Sequence, residues 1–203
     1  MLQRNAMNTI TQWHDKLKKV LQSKRFLKME GLGNELPFFI APHPPQWEWK
    51  VQSSIEGIKK DLATNNIQVN HIHLYTLCMD LLKNRGVWDK LIKREGKETK
   101  EDFLEIVQSL LSPERHVIPA IQEQIDSAPH DILFLTGVGQ VYPYLRSHSI
   151  ISNLQNKACK QPTVLFFPGT YTTGASGNTS LDLFNIHAGD NYYRAFNIFH
   201  FEV

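Results

Sequence analysis

Apolar residues recur along the chain with two periodicities, which divide it into predicted helices and strands. Steps of three and four residues place apolar side chains on one stripe of a helix. The first such helix begins near Asn8 or Thr9 and carries the stripe Ile10, Trp13, Leu17, Val20 and Leu21. Similar stripes predict helices within 51–62, 77–86 and 103–110, and Thr99 with Asp102 forms a weak capping box before the last of these.

Short apolar runs lie between the helices and predict strands at 36–41, 69–75, 131–136, 163–167 and 195–201. Proline cannot donate to a strand ladder, so Pro42 is expected to end the first strand and Pro168 with Gly169 the fourth. The runs at 131–136 and 163–167 have almost no polar alternation, which is typical of strands covered on both faces. The pattern predicts an α/β fold with a mostly parallel, doubly wound sheet and helices on both faces, Rossmann-like or degenerate P-loop-like.

Length and composition favour one domain covering 1–203. A chain of 203 residues is the size of one compact α/β unit. It contains only two cysteines, Cys78 and Cys159, which fits a reducing cytosol. No apolar run approaches the roughly 20 residues that cross a bilayer, and the first residues lack a signal-peptide core. We therefore expect a soluble, cytoplasmic protein.

The charge balance argues against a strong general attraction to nucleic acid. The chain has 22 Lys and Arg against 20 Asp and Glu, a net charge of +2. No overall field attracts phosphate backbones at this charge, although a local basic patch stays open. Direct contact with DNA is therefore the least favoured of the binding hypotheses.

A glycine pair after the third strand resembles part of a dinucleotide-binding fingerprint. Gly137 and Gly139 follow the strand, but Tyr142 stands where a third glycine belongs, and Pro143 lacks an N–H for an anion. No Gly-Lys-Ser or Gly-Lys-Thr follows a strand, so the clamp and the magnesium ligand of a P-loop ATPase are missing. We predict a structural turn; a degenerate nucleotide-binding domain with a regulatory role is the alternative.

The histidines do not complete a metal or catalytic site in the sequence. His71 and His73 are two residues apart on a predicted strand and share a face, but no third ligand can be nominated. His187 lies in a late loop without an identifiable orienting partner. We predict no catalytic residue, metal or cofactor, and therefore no enzyme.

The favoured binding residues lie mainly in two segments that are rich in tyrosine and arginine. Tyrosine and arginine often carry the binding energy of protein interfaces, and they also stack on bases. The predicted partner-binding residues are Tyr142, Tyr144, Arg146, His148, Tyr171, Tyr192, Tyr193 and Arg194. The alternative is structural: Tyr144 packs on the sheet, and Arg146 caps a carbonyl or pairs with an acid. Pro143 is expected to open a helix over 144–156.

Four short motifs follow one another in the last third of the chain. They are Phe-Leu-Thr-Gly-Val-Gly at 134–139, Tyr-Pro-Tyr-Leu-Arg-Ser-His at 142–148, Phe-Phe-Pro-Gly-Thr-Tyr at 166–171 and Asn-Tyr-Tyr-Arg-Ala-Phe at 191–196. With these motifs in register, the chain resembles the BrxB family of BREX bacteriophage-exclusion systems. It departs from that family at 172–179, a link that is longer and richer in glycine and serine.

The resemblance implies a function in antiviral defence. It implies membership of a multi-protein complex that methylates host DNA and blocks phage propagation, with the alkaline-phosphatase-like PglZ protein as the direct partner and no catalytic activity of the chain itself. The expected role is a non-catalytic, protein-binding component of a phage-resistance complex. Whether the chain also forms homo-oligomers stays open.

Overall fold

Helices and strands alternate through most of the computed structural model, which describes residues 9–30, 37–155, 161–173, 179–188 and 195–203. The helices are α1 Ile10–Leu21, α2 Lys24–Leu27, α3 Glu48–Thr64, α4 Leu74–Asn84, α5 Trp88–Glu95, α6 Lys100–Leu110, α7 Ile118–Asp126, α8 Val138–Val141 and α9 Ser147–Gln155. The strands are β1 Phe38–His43, β2 Val69–His73, β3 Ile132–Thr136, β4 Thr163–Thr173, β5 Thr179–Leu183, β6 His187–Ala188 and β7 Phe196–Asn197. Within these ranges, no helix has the length and apolar character needed to span a bilayer.

The central sheet is parallel along the order β2-β3-β4-β1-β7. The longest register joins β1 to β4, from Phe38 opposite Thr163 to His43 opposite Pro168. Beyond the parallel part, β4 continues into an antiparallel ladder with β5, which pairs with β6. The predicted α/β class and the mostly parallel sheet are confirmed.

Helices cover both faces of the sheet and create two hydrophobic cores. On the first face, α1, α2 and α3 pack against Phe39, Phe134 and Phe166. On the second face, α4 to α9 pack against the alternate positions, among them Ile40 and Leu135. Strand side chains alternate between faces, and both faces are covered here, so all five residues of β3 are buried. The predicted helices on both faces are confirmed.

Side-chain caps place two helix starts as the sequence predicted. The Thr9 hydroxyl accepts a hydrogen bond from the Gln12 N–H at 3.2 Å, and α1 begins at the next residue. At α6, the Thr99 hydroxyl accepts from the Asp102 N–H at 3.1 Å and donates to the Asp102 carboxylate at 2.8 Å. The two bonds donated by the Gln12 and Asp102 N–H groups each satisfy a donor that has no partner inside the helix.

The first strand does not end at Pro42, contrary to the sequence-based prediction. β1 continues to His43, and the Pro42 carbonyl accepts a hydrogen bond from Trp13 Nε1 at 2.9 Å. The nitrogen and the carbonyl oxygen of one strand residue point to the same side of the strand. The Pro42 nitrogen, which has no hydrogen to donate, therefore points toward Trp13 and away from β4. β7 pairs only with Phe39 and Ile40, so no neighbouring strand loses a bond at this position.

The fourth strand also passes through its predicted end, because Pro168 and Gly169 lie inside β4. The Pro168 carbonyl accepts from the Phe184 N–H at 2.8 Å, and Gly169 is opposite Leu183 in the β4–β5 ladder. A Cβ atom at Gly169 would clash with the Asp182 carbonyl oxygen. The glycine therefore permits a close approach of β5 rather than ending the strand.

Three further boundaries differ from the prediction. β2 ends at His73 rather than at residue 75, because the His73 ring accepts from the Thr76 N–H and caps α4. α9 begins at Ser147 rather than at 144, and Pro143 precedes it in the connection from α8. The last run contains only the two residues of β7 before a 3₁₀ turn at Ile198–His200.

Candidate functional site

A groove lies on the second face between the start of α6 and the connection that follows α8. Gln108 on α6 donates from Nε2 to the Pro143 carbonyl at 3.1 Å, which holds the two segments together. The open cavity between them has a volume of about 450 Å³. Its lining residues are Glu95, Glu98, Thr99, Lys100, Glu101, Phe103, Leu104, Pro143 and Tyr144.

The floor of this groove is apolar and its rim is acidic. Half-buried side chains of Phe103, Leu104, Pro143 and Tyr144 form the floor. The rim carries three glutamates and one lysine, and Glu98 accepts from Arg94 at 2.8 Å, the only ion pair of these glutamates among the described residues. An apolar floor with excess negative charge at its edge suits a protein segment that presents an apolar side chain beside a cation.

The structure separates the tyrosines that the sequence grouped as partner-binding. Tyr144 lines the groove and is half-buried. Tyr142 packs edge-on against Phe184, with 6.5 Å between ring centroids, and the Tyr171 hydroxyl donates to the Ala195 carbonyl at 2.7 Å. Tyr142 and Tyr171 therefore hold the β4–β5 region against its neighbours, and Tyr144 is the one of these three tyrosines that lines the groove.

The remaining predicted binding residues differ in their exposure. Arg146 is exposed directly before α9, and within the described ranges no carboxylate lies in ion-pair distance of it. His148 is half-buried in α9. Tyr192, Tyr193 and Arg194 lie outside the described residues, as does Cys159.

Packing explains both glycines of the nucleotide-like turn. Gly137 has a φ of 79°, a left-handed conformation that favours glycine, and a Cβ there would lie 3.0 Å from His73 Nε2. A Cβ at Gly139 would lie 2.8 Å from the Phe184 ring. The space beside these glycines therefore holds an imidazole and a phenyl ring, and the geometry supports the structural turn rather than a phosphate cradle.

His71 is fixed by two polar neighbours in the middle of β2. Its Nδ1 lies 3.2 Å from Lys59 Nζ, and its Nε2 lies 2.8 Å from the Thr136 hydroxyl. An ammonium only donates, so Nδ1 accepts and Nε2 carries the proton. Burial, together with the nearby Lys59 charge, lowers the pKa of His71 to about 4. The ring is neutral at pH 7 and serves as a link between α3, β2 and β3.

His73 does not join His71 in a metal site. Its Nδ1 accepts from the Thr76 hydroxyl at 3.0 Å, and burial lowers its pKa. Over the described part of the chain, no group of three or more His, Cys, Asp or Glu side chains is arranged to hold a metal ion.

A buried histidine that the sequence did not single out lies at the end of β1. His43 is 2% exposed, and its Nε2 donates to the Glu48 carboxylate at 2.8 Å. Its ring meets Trp13 edge-on at 6.1 Å. His43 thus ties β1 to the start of α3 and to α1. Only the neighbouring prolines mark it in the sequence, and they give no indication of this contact.

Comparison with known proteins identifies the family. The family profile described as "BREX protein BrxB" matches residues 70–198. A protein of Bacillus cereus (strain H3081.97) named BREX protein BrxB is 33% identical over 196 residues, which cover 95% of this chain and 98% of that protein. A protein of Escherichia coli O9:H4 (strain HS) with the same name is 28% identical over 178 residues, 88% of this chain and 86% of that protein. No solved structure gives a significant match. The chain therefore belongs to the BrxB family of BREX proteins.

Proposed function

We propose that this chain is a non-catalytic adaptor of a BREX-type antiphage complex and that a PglZ-type protein binds in the groove between α6 and the Pro143–Tyr144 segment. Two observations support the proposal. The relatives that cover almost the whole chain carry the name of a BREX protein. The groove combines an apolar floor with an acidic rim on the surface of the second face. The groove is the observation that carries the assignment of the docking surface.

The buried titratable side chains support a role without turnover. His71 and His43 are each held by hydrogen bonds that join structural elements. Burial raises the pKa of the Cys78 thiol to about 12. A thiol with that pKa is not a nucleophile at neutral pH. These groups stabilise the fold, which leaves surface recognition as the chemistry that the described residues support best.

The lining of the groove defines the chemistry of the partner segment that binds there. An aromatic or aliphatic side chain of the partner packs on Phe103 and Tyr144, and a neighbouring lysine or arginine faces Glu95 and Glu101. Burial of the apolar anchor supplies affinity, while the charges at the rim select the partner and speed association. Tyr144 is already half-buried by its own chain, so little side-chain entropy is lost when it binds.

Co-purification from cells that express the tagged chain with the PglZ-type protein of the same defence system tests the proposal. We expect the wild-type chain to retain this partner. The variants Tyr144→Ala and Glu101→Lys should each retain at least about fivefold less of it. The matched controls are Tyr75→Ala and Glu123→Lys, which make the same changes at exposed positions of α4 and α7 outside the groove.

Two results would contradict the proposal. The first is that the wild-type chain fails to retain the partner although the chain is required for phage defence. The second is that the control variants lose the partner as strongly as the groove variants. Circular dichroism of each variant separates lost binding from lost folding.

A further inference from the structure

The small net charge of the chain conceals a strongly basic segment. Residues 9–30 hold six Lys and Arg against two Asp and Glu, a net +4, whereas the whole chain carries only +2. The basic residues are Lys16, Lys18, Lys19, Lys24, Arg25 and Lys28. The rest of the chain is therefore net negative, and the positive charge is concentrated on α1 and α2.

Five of these six side chains point to solvent. The apolar stripe of α1 and the Phe26 ring of α2 are buried against the first face, which leaves Lys16, Lys19, Lys24, Arg25 and Lys28 exposed. We call these five residues the basic face. The sixth residue, Lys18, is turned toward α3, where it pairs with Asp61 at 2.5 Å.

Members of the basic face converge on the C-terminal segment. Lys16 and Lys19 line a shallow groove together with Phe201, and the Arg25 guanidinium lies 5.7 Å from the centre of the Phe201 ring. Arg25 also donates to the Glu202 carbonyl at 3.1 Å. Cations from both helices are thus gathered around one aromatic ring rather than dispersed.

Neighbouring acids do not neutralise this surface. Asp15 lies on the same groove and the exposed Glu202 is next to Phe201. Among residues whose positions are described, none supplies a carboxylate within 4.0 Å of any member of the basic face. Five cations against the carboxylates of Asp15, Glu30 and Glu202 leave a net positive charge at this surface.

The basic face fits the phosphate backbone of nucleic acid better than a lipid surface. A helix that binds in a membrane interface inserts apolar side chains below its lysines. Here Trp13, Leu17 and Val20 are at most 1% exposed, so they are committed to the core. Phosphate contacts require only exposed cations and hydrogen-bond donors. From this geometry we infer that α1 and α2 bind the backbone of double-stranded DNA without sequence preference, at a site separate from the adaptor groove.

Fluorescence anisotropy with a labelled 20-bp duplex tests the inference on the full chain. Four neutralised phosphates give a slope of log K against log salt near −3.6, so affinity falls about 100-fold between 50 and 200 mM KCl. We expect Lys19→Glu with Lys24→Glu to weaken binding at least about tenfold and to reduce the slope by roughly 2. Asp15→Asn, which removes a repelling carboxylate, tightens binding about twofold at low salt.

The control variant carries the same change in net charge at Lys90 and Lys93, both exposed on α5. If it weakens DNA binding as much as the α1–α2 variant, the attraction is diffuse and the inference fails. The inference also fails if the chain binds phosphatidylserine vesicles or poly-glutamate but not DNA. Partner retention by the Lys19/Lys24 variant, measured in parallel, keeps this outcome distinct from that of the adaptor proposal.

Discussion

The helical layers on the two faces of the sheet differ in both packing and charge. The first layer is held together by aromatic rings: Trp13, Phe26, Phe39, Phe134 and Phe166 make ring contacts with centroids 4.8 to 6.1 Å apart. The second layer consists of more and shorter helices over a largely aliphatic core. The first exposes lysines and an arginine, and the second opens an acidic groove. On our proposals, the two surfaces bind different classes of partner.

The largest expected effect lies in the aromatic layer. Trp13→Ala removes a side chain that is 1% exposed and leaves the Pro42 carbonyl without its indole donor. We expect the free energy of unfolding to fall by about 3–5 kcal/mol, measured by urea denaturation. Trp49→Ala is the control, since Trp49 is 67% exposed, and it should change stability by less than about 0.5 kcal/mol. Equal losses would show that the aromatic contacts do not fasten this layer.

The next effect concerns the hairpin that packs on the second face. Gly169→Ala places a Cβ against the Asp182 backbone, which the β4–β5 ladder cannot move without losing hydrogen bonds. We expect a loss of roughly 2–3 kcal/mol in thermal or urea unfolding. Gly96→Ala is the matched control, because a Cβ there has no atom within 4 Å among the described residues and the expected change is close to zero. A tolerated Gly169→Ala would argue against a rigid β4–β5 contact.

A smaller effect depends on pH and tests the link between α3 and the sheet. The folded pKa of His71 is about 4, below its ordinary 6.5, so the unfolded chain takes up a proton first as the pH falls. Stability is therefore fully present above pH 6.5 and is lost progressively down to about pH 4. We expect wild type to lose roughly 2 kcal/mol more than His71→Gln over this interval, less than the full shift because the ring is partly solvated. Parallel curves for the two proteins would contradict the assignment.

The smallest expected effect is a null result with nucleotides. Because His73 and Phe184 occupy the space beside Gly137 and Gly139, millimolar ATP or GTP should leave the thermal midpoint unchanged. A ligand at about a hundred times its dissociation constant would add roughly 2.7 kcal/mol, which is easily seen. Such a shift would favour the regulatory nucleotide-binding alternative. It would also show that the turn at Gly137 and Gly139 is open to a ligand, as the groove beside α6 is.

The sequence predicted local features well wherever local chemistry decides them. The apolar stripe of α1 and the cap at Thr99 depend on neighbours that are close in the sequence, and the structure confirms both. Pro42 and Pro168 were misread, because their effect depends on which side of the strand faces a partner. That information lies in the sheet order, not in the run of residues around each proline.

The candidate site was only partly predictable for the same reason. Tyr144 was one of eight predicted binding residues, but its groove also depends on Gln108, which binds the Pro143 carbonyl from 35 residues away. Tyr142 and Tyr171 have the same residue type as Tyr144, and only packing separates them from it. The basic face was hidden by a balanced charge total, since counting charges does not show on which helices they gather.

A titration of the purified PglZ-type partner against the chain, with the dissociation constant measured for Tyr144→Ala and Tyr75→Ala, is the sharpest test of the proposed docking groove. We expect Tyr144→Ala to weaken binding about 5- to 30-fold, the equivalent of roughly 1–2 kcal/mol, and Tyr75→Ala to match the wild-type chain. Wild-type affinity for a folded Tyr144→Ala variant would contradict the assignment of the groove.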